Sequence, residues 1–171
     1  MSIPYSQERL HELLDYNEHT GQLTWKVFRG GSAKAGSPAG TIRSDGYRQI
    51  CLGGRYYKTS HVIWKWLYNE EVELIDHKDT NPLNEAKSNL RVATIEQNNQ
   101  NRSLQCNNTT GVKGLCIVAG GSGNKYYRGT VRHNGRVKTK NFPLTSEGVI
   151  MATKWLNETR QQLHNEFANR G

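Results

Sequence analysis

Cysteine is scarce in this 171-residue sequence, since Cys51, Cys106 and Cys116 stand far apart and form no C-x-x-C pair. This scarcity gives no basis for a disulfide framework or for a cysteine-based zinc site. It fits a reducing compartment, where structural disulfides are rare. We interpret all three thiols as small, buried apolar residues.

Long apolar runs are missing as well. No segment approaches the roughly 20 apolar residues of a membrane-spanning helix. The first residues, Met1 to Tyr5, show no basic stretch followed by an apolar one. We therefore expect no signal peptide, no membrane partner and a cytoplasmic location. We also expect no small-molecule cofactor, and the sequence leaves the oligomeric state open.

Acidic residues are few in the C-terminal part of the chain. Residues 101–171 carry 11 Lys and Arg against three Asp and Glu, whereas residues 1–100 carry 12 of each kind. The whole formal net charge of +8 therefore lies beyond residue 100. Such a basic part suits a polyanion such as double-stranded DNA. We predict a catalytic domain at 1–100, a polar linker at 101–110 and a DNA-docking domain at 111–171.

A short polar constellation indicates hydrolytic chemistry. Asp76 stands beside His77, Asn89 follows His77 by twelve residues, and Asn98 follows nine residues later. Asp76 and Asn98 offer hard oxygen ligands to a divalent metal, and such ligands favour Mg²⁺ or Mn²⁺ over Zn²⁺. His77 can accept a proton from water near neutral pH. Together these groups suit the hydrolysis of a phosphodiester.

The segment that holds this constellation, Ile75 to Asn101, resembles the HNH nucleases. The likeness is to the phage and intron homing endonucleases, in which Asn replaces the last His. It extends upstream through Asp45-Gly46-Tyr47-Arg48 to His61-Val62-Ile63-Trp64. The resemblance implies a ββα-metal module in which His77 is the general base and Asn89 orients it, while Asp76 and Asn98 hold the metal. If a phage encodes the protein, the expected cytoplasm is that of the host cell.

Local signals place the elements around the motif. Ser6 is expected to cap a short helix, and Gly53-Gly54 predicts a two-residue hairpin. Ser60 is expected to cap an apolar helix, in which His61 is interpreted as a packing or supporting residue rather than a catalytic one. Thr94 and Gln97 form a capping box for the helix that carries Asn98.

Three strands and one helix are predicted beyond residue 110. Strands near 110–114, 126–133 and 136–142 precede a helix that starts at Thr145 or Ser146 and runs to Asn169. This order, with the closing segment Leu163 to Asn169, resembles the APETALA2/ERF DNA-binding domain. Lys138 stands where that family commonly has Trp, so no base preference is carried over. The predicted fold class is α+β: a ββα-metal nuclease module followed by a three-stranded antiparallel sheet packed on one helix.

The strand register around Asn134-Gly135 has two solutions. A two-residue loop puts Val137 opposite Arg132 and scatters charge over both faces of the sheet. A three-residue loop from His133 to Gly135 puts Arg132 opposite Arg136. We prefer the second register because it separates charge from core. With Lys113, the expected DNA-binding residues are then those of one basic face: Arg128, Thr130, Arg132, Arg136, Lys138 and Lys140.

Two classes of function follow. The first is a metal-dependent DNA endonuclease of the homing type, with single- or double-strand cleavage left open. The alternative is a DNA-binding regulator whose HNH part is an inactive scaffold. The complete set of Asp76, His77, Asn89 and Asn98 favours the endonuclease, since a scaffold need not keep a metal site. RNA cleavage is a weaker third option.

Overall fold

The computed structural model describes residues 2–31, 33–104, 106–121, 123–164 and 167. The chain divides into two compact units, Met1–Thr94 and Ile95–Gly171. Helices and small antiparallel sheets occur together, which confirms the expected α+β class. Within the described ranges, no helix is both long enough and apolar enough to cross a bilayer.

Over its described residues, the first unit contains two helices and three small antiparallel sheets. The strands pair as β1 with β2, as β3-β4-β5, and as β6 with β7. In chain order the elements are α1 (Gln7–Leu13), β1 (Leu14–Tyr16), β2 (Leu23–Trp25), β3 (Thr41–Ile42), β4 (Arg48–Leu52), β5 (Arg55–Lys58), α2 (Thr59–Tyr68), β6 (Ile75–His77) and β7 (Leu90–Val92).

Helix starts in this unit follow the expected chemistry at one place and depart from it at another. Ser6 caps α1, because its Oγ accepts a hydrogen bond from the Arg9 amide at 3.3 Å. The expected cap at Ser60 is wrong. Strand β5 runs directly into α2, so Lys58 is the cap residue and Ser60 lies buried in the first turn. Thr59 Oγ1 instead donates to the Arg48 carbonyl at 3.1 Å.

One apolar core holds the first unit together. It joins α1 and α2 to all three sheets, and its fully buried members include Leu10, Leu23, Leu52 and Ile63. Burying one such side chain contributes roughly 1.5–3 kcal/mol. Ile75 and Leu90 belong to the same core, so the strand pair that carries the motif is anchored by apolar packing.

The second unit packs one long helix on a three-stranded sheet of order β10-β9-β8. Its elements are α3 (Ile95–Asn101), β8 (Leu115–Ala119), β9 (Lys125–His133), β10 (Arg136–Pro143) and α4 (Ser146–His164). The first strand begins later than expected. Thr145 precedes α4 and its Oγ1 accepts from the Gly148 amide at 3.0 Å. Of the expected closing segment, residues 165, 166, 168 and 169 lie outside the described residues.

The register expected for β9 and β10 is wrong. Val137 pairs with Arg132, and Arg136 pairs with His133. Asn134 and Gly135 have φ values of 50° and 70°, which is the two-residue turn whose twist matches that of the flanking strands. The expected basic face is therefore divided. Arg128, Thr130 and Arg132 share the open face, whereas Arg136, Lys138 and Lys140 share the side of Val131 and Phe142, where α4 packs.

The argument from charge separation failed for a physical reason. Strand β10 lies at the sheet edge, and its cationic residues stay exposed on the helix side. Because water solvates these cations, their position on the helix side carries no cost of burying a charge. The expectation of buried thiols also fails, because Cys51, Cys106 and Cys116 are all exposed.

Candidate active site and nucleic-acid interface

The Asp76-His77 pair lies on a short, buried strand. In the antiparallel pairing of β6 with β7, Asp76 faces Arg91 and His77 faces Leu90. Asp76 is 4% exposed and His77 is 6% exposed. Adjacent strand residues project to opposite faces, so the two polar side chains leave β6 in different directions.

Asp76 is held by a guanidinium that the sequence argument missed. Arg91 donates to Asp76 Oδ2 from Nε at 2.8 Å and from Nη2 at 2.7 Å. Both side chains are largely buried, which strengthens a charge-assisted contact. The signal was present in the sequence: Arg91 sits across from Asp76 once the two strands are paired.

Asn89 ties the loop between β6 and β7 together. Its Nδ2 donates to Asp79 Oδ1 at 2.9 Å and to the Asn84 carbonyl at 2.7 Å. Its Oδ1 accepts from the Asp79 amide at 3.0 Å. The amide side chain thus fixes both ends of the loop that follows His77.

Asp79, near the start of that loop, accepts several of its hydrogen bonds. Its carboxylate also accepts from the Asn81 amide and from Asn84 Nδ2, at 2.9 and 2.6 Å. Burial acts to raise the pKa of Asp79, but the hydrogen bonds from Asn84, Asn81 and Asn89 outweigh it and lower the pKa. Asp79 is therefore ionised and engaged in the turn.

Thr80 holds the loop in a strained conformation. Its φ is 63°, which a β-branched residue rarely adopts. Such a conformation costs on the order of 1–3 kcal/mol and persists only when its surroundings impose it. The Thr80 amide donates to the His77 carbonyl at 2.9 Å. The strained residue is therefore hydrogen-bonded to the backbone of the candidate base.

His77 sits among aromatic and basic side chains. The Tyr47 ring centroid lies 6.2 Å from that of His77, and Lys58 Nζ lies 4.1 Å from the Tyr47 centroid. Burial is the main cause that lowers the pKa of His77, although the carboxylates of Asp79 and Asp76 oppose the shift. A neutral imidazole, which is the form that accepts a proton, is therefore favoured at pH 7.

His61 occupies a neighbouring groove. Its Nε2 lies 3.4 Å from the Glu73 carbonyl oxygen, and it lines a groove of 560 Å³ together with Lys58 and Glu71. Burial lowers the pKa of His61, with the Glu73 carbonyl acting in the opposite direction. Its part in packing or in support of the site stays a prediction.

The N-terminal hairpin of β1 and β2 packs against the loop between β6 and β7. Tyr16 Oη donates to the Glu85 carbonyl at 2.8 Å. Gly21, at φ +74°, approaches the Glu85 and Ala86 backbone so closely that a Cβ there would overlap it. The position therefore demands glycine, and this contact sets the course of the chain toward Asn89.

Glu85 is a buried carboxyl that sequence reasoning did not find. Burial raises its pKa to about 7, against hydrogen bonding from Thr59 and the charge of Arg48. Thr59 Oγ1 contacts both the Arg48 carbonyl and Glu85 Oε1. Burial outweighs the bond from Thr59, so the net shift of the Glu85 pKa is upward.

Asn98 lies on α3 in the second unit and is half-buried. Its cooperation with Asp76 in holding a metal stays a prediction, because the two units are described separately. Across the described residues, no three His, Cys, Asp or Glu side chains converge on a common metal position. A site made of one carboxylate and one amide oxygen is of a different composition, and its hard donors suit Mg²⁺ or Mn²⁺.

The candidate DNA-binding residues occupy three settings. On the open face, Arg128 Nε donates to Asn141 Oδ1 at 3.1 Å, and Arg132 is exposed. On the other side of the sheet, Lys138 and Lys140 are exposed on the edge strand. Lys113 is half-buried, and its ammonium donates to the Gln100 carbonyl at 2.8 Å. The structure thus does not bring all the expected cations onto one surface.

Comparison with known proteins finds viral relatives. The chain is 39% identical over 94 residues to protein 3.8 of Escherichia phage T7. The aligned region covers 55% of this chain and 72% of the T7 protein. It is 34% identical over 94 residues to an uncharacterised HNH endonuclease of Acanthamoeba polyphaga mimivirus. The match covers 55% of this chain but 44% of the mimivirus protein, so the chain spans less than half of that relative.

No protein-family profile matches the chain, and no solved structure matches it significantly. The similarity to the mimivirus protein supports an HNH-type nuclease in general terms. The match to the T7 protein covers more than two thirds of that protein at 39% identity, which is enough to assign the chain to its family. On that evidence the chain belongs to the family of protein 3.8 of Escherichia phage T7.

Proposed function

We propose that the protein is a metal-dependent HNH endonuclease of the homing type that hydrolyses phosphodiester bonds of duplex DNA. The observation that carries the proposal is the buried Asp76-His77 pair on β6, facing a loop that Asn89 fixes at both ends. A viral relative named as an HNH endonuclease supports the same chemistry.

His77 is assigned the general base. Its lowered pKa keeps the imidazole neutral at pH 7, so it can accept the proton of the attacking water. Asn89 is assigned a positioning role, because its bonds to Asp79 and Asn84 hold the turn that begins at the His77 carbonyl. The strained backbone at Thr80 supports this role, since strain of that kind is retained where position matters.

Asp76 and Asn98 are assigned the metal. Their carboxylate and amide oxygens fit a hard divalent ion, Mg²⁺ or Mn²⁺. Such an ion supplies charge neutralisation at the scissile phosphate and at the leaving oxygen. Arg91 orients the Asp76 carboxylate through Oδ2, which fixes the direction in which its other oxygen points.

The second unit is assigned the docking role, as an APETALA2/ERF-like DNA-binding domain. Support comes from its three-stranded sheet packed on α4 and from the net charge of +8, all of which lies beyond residue 100. The open face, with Arg128, Thr130 and Arg132, is the part of the sheet that α4 leaves uncovered. Backbone phosphates would supply most of the affinity.

A DNA-binding regulator with an inactive scaffold is the second candidate, and the Asp76–Arg91 ion pair favours it. A buried carboxylate that is already neutralised by a guanidinium needs no metal for stability. An endonuclease should cleave DNA when Mg²⁺ is present, whereas a regulator should bind DNA without cleaving it.

One assay separates them. Duplex phage DNA is incubated with the purified chain in Mg²⁺, in Mn²⁺, in Zn²⁺ and in EDTA, and with the variants Asp76→Ala and Asn98→Ala. The endonuclease predicts cleavage in Mg²⁺ or Mn²⁺, little in Zn²⁺, none in EDTA, and strong loss in both variants. Undiminished cleavage in EDTA would remove the metal from the account. Binding without cleavage in any metal would favour the regulator.

A further inference from the structure

Two cations lie close together in the second unit, and none of the described carboxylates forms an ion pair with either of them. Arg160 on α4 is 4% exposed, and Lys113 lies half-buried in the segment before β8. Arg160 follows Leu156 by four residues and so occupies a core-facing position of the helix. Both residues line a groove of 1190 Å³ that Arg102, Arg132 and His164 also border.

The hydrogen bonds of this pair go to neutral oxygens. Arg160 Nη2 donates to the Lys113 carbonyl. Lys113 Nζ donates to the Gln100 carbonyl at 2.8 Å and to the Arg102 carbonyl. The pair thus keeps one buried guanidinium nitrogen, Arg160 Nη1, without a hydrogen-bond partner among the described residues.

The charged lining of the groove is predominantly cationic. Burial is the main cause that lowers the pKa of Lys113 to about 8, and the charges of Arg160 and Arg102 act in the same direction. Burial also lowers the pKa of Arg160. Among the described lining residues the one carboxylate is Glu96, which accepts from the Asn134 amide at the hairpin tip. Unpaired buried cations cost several kcal/mol, so the arrangement favours a bound negative charge.

We propose that this groove, which Lys113 and Arg160 line, binds a phosphate group of the DNA backbone. The inference rests on the proposed docking of the second unit on DNA. A guanidinium and an ammonium together are the usual donors to a phosphate. Arg132, which lies on the open face of the sheet, borders the same groove. A phosphate held here therefore extends the sheet surface along the duplex.

Free inorganic phosphate offers the same chemistry, so the experiment has two arms on the full chain. In the first, thermal unfolding is followed in phosphate and in chloride at equal ionic strength, without DNA. In the second, fluorescence anisotropy gives duplex affinity across a salt series. The variants are Arg160→Gln and Lys113→Gln, each checked for folding by circular dichroism. The matched control is Lys154→Gln, which removes the same charge from an exposed position of α4.

Phosphate is expected to raise the Tm of the parent and of Lys154→Gln, but not that of Arg160→Gln or Lys113→Gln. Each of the two groove variants should also lower the slope of log K against log salt by about one unit, as loss of one phosphate contact does. If either groove variant fails to fold, the other one and the parent's phosphate shift still decide the matter.

Three results would overturn the proposal. No phosphate-specific shift in the parent means that the cations only brace the chain between α3 and β8. A phosphate shift with parental salt slopes in both groove variants means that the site takes free phosphate rather than DNA. A parent that binds no duplex refutes the docking function itself, and the phosphate arm then shows separately whether the anion site exists.

Discussion

Asp76 has two roles to reconcile, an ion pair with Arg91 and the proposed binding of a metal ion. Arg91 neutralises its carboxylate in a buried setting, while the proposed mechanism also assigns it a metal ion. Both Arg91 nitrogens reach the same carboxylate oxygen, Oδ2. In the proposed mechanism Arg91 would orient this carboxylate toward the metal.

Replacing Arg91 by Gln should destabilise the first unit by roughly 3–5 kcal/mol, the usual cost of breaking a buried ion pair by removing one partner. Asp76→Asn in the same chain should restore part of the loss, because it removes the uncompensated charge. Urea unfolding of the two single variants and the double variant measures the coupling. Additive effects would show that the ion pair contributes nothing to stability.

Glu85 makes stability depend on pH. Its pKa is about 7 in the folded chain against an ordinary value of 4.5, so the folded state binds the proton more tightly. Its contribution is fully present below pH 4.5 and is lost as the pH rises toward 7, by up to about 3 kcal/mol.

Glu85→Gln should flatten the pH dependence of unfolding between pH 4.5 and 7, because the amide cannot ionise. Glu12→Gln, at an exposed position of α1, is the control and should leave the parental profile intact. Chemical unfolding at half-unit pH steps provides the measurement. Equal profiles for the parent and Glu85→Gln would refute the assigned protonation of Glu85.

At the scale of elements, the strand pair of β9 and β10 decides which cations share a surface. The observed register puts Arg132 on the open face and Lys138 on the helix side. If the open face contacts DNA, Arg132→Gln should weaken duplex binding and lower the salt slope by about one unit. Lys138→Gln removes the same charge from the same sheet and should have the smaller effect.

Fluorescence anisotropy with specific and random duplexes checks this ordering. A base contact by Arg132 would relax preference at one position, a loss worth roughly 1–3 kcal/mol. A larger loss for Lys138→Gln than for Arg132→Gln would place the DNA on the other side of the sheet.

The elements around the motif were largely predictable from local signals. The Ser6 cap and the Gly53-Gly54 hairpin both formed at their expected positions. These features depend on neighbouring residues, which the sequence shows directly. The β9–β10 register was wrong because turn twist outweighed charge separation, and the exposed edge strand made that separation unnecessary.

Tertiary pairing explains what the sequence left out of the candidate site. Arg91 reaches Asp76 only after β6 and β7 pair. Glu85 becomes a high-pKa carboxyl only because Thr59 and the hairpin residue Tyr16 close over its segment. No local pattern marks a carboxyl that burial will protonate.

At the scale of the whole molecule, the boundary between the units affects how fragments should be cut. Lys113 Nζ bonds the carbonyls of Gln100 and Arg102, and α3 belongs to the second unit. A fragment of residues 95–171 should therefore fold alone, bind duplex DNA and show no nuclease activity. A fragment that starts at Asn107 lacks those two acceptors and should unfold at a lower temperature.

Circular dichroism and anisotropy on both fragments test this division. The longer fragment should retain most of the parental affinity, because the net charge of +8 lies beyond residue 100. Loss of DNA binding in a folded 95–171 fragment would contradict the assignment of docking to the second unit.

The central claim is that His77 acts as the base in a unit separate from the one that docks on DNA. Its most direct test compares His77→Ala with the parent, using end-mapped cleavage of duplex DNA in Mg²⁺ and binding affinity measured on the same preparations. In His77→Ala the cleavage rate should fall by roughly 10²–10⁴-fold, while the binding affinity should stay nearly unchanged. Near-parental turnover in folded His77→Ala would contradict the central claim.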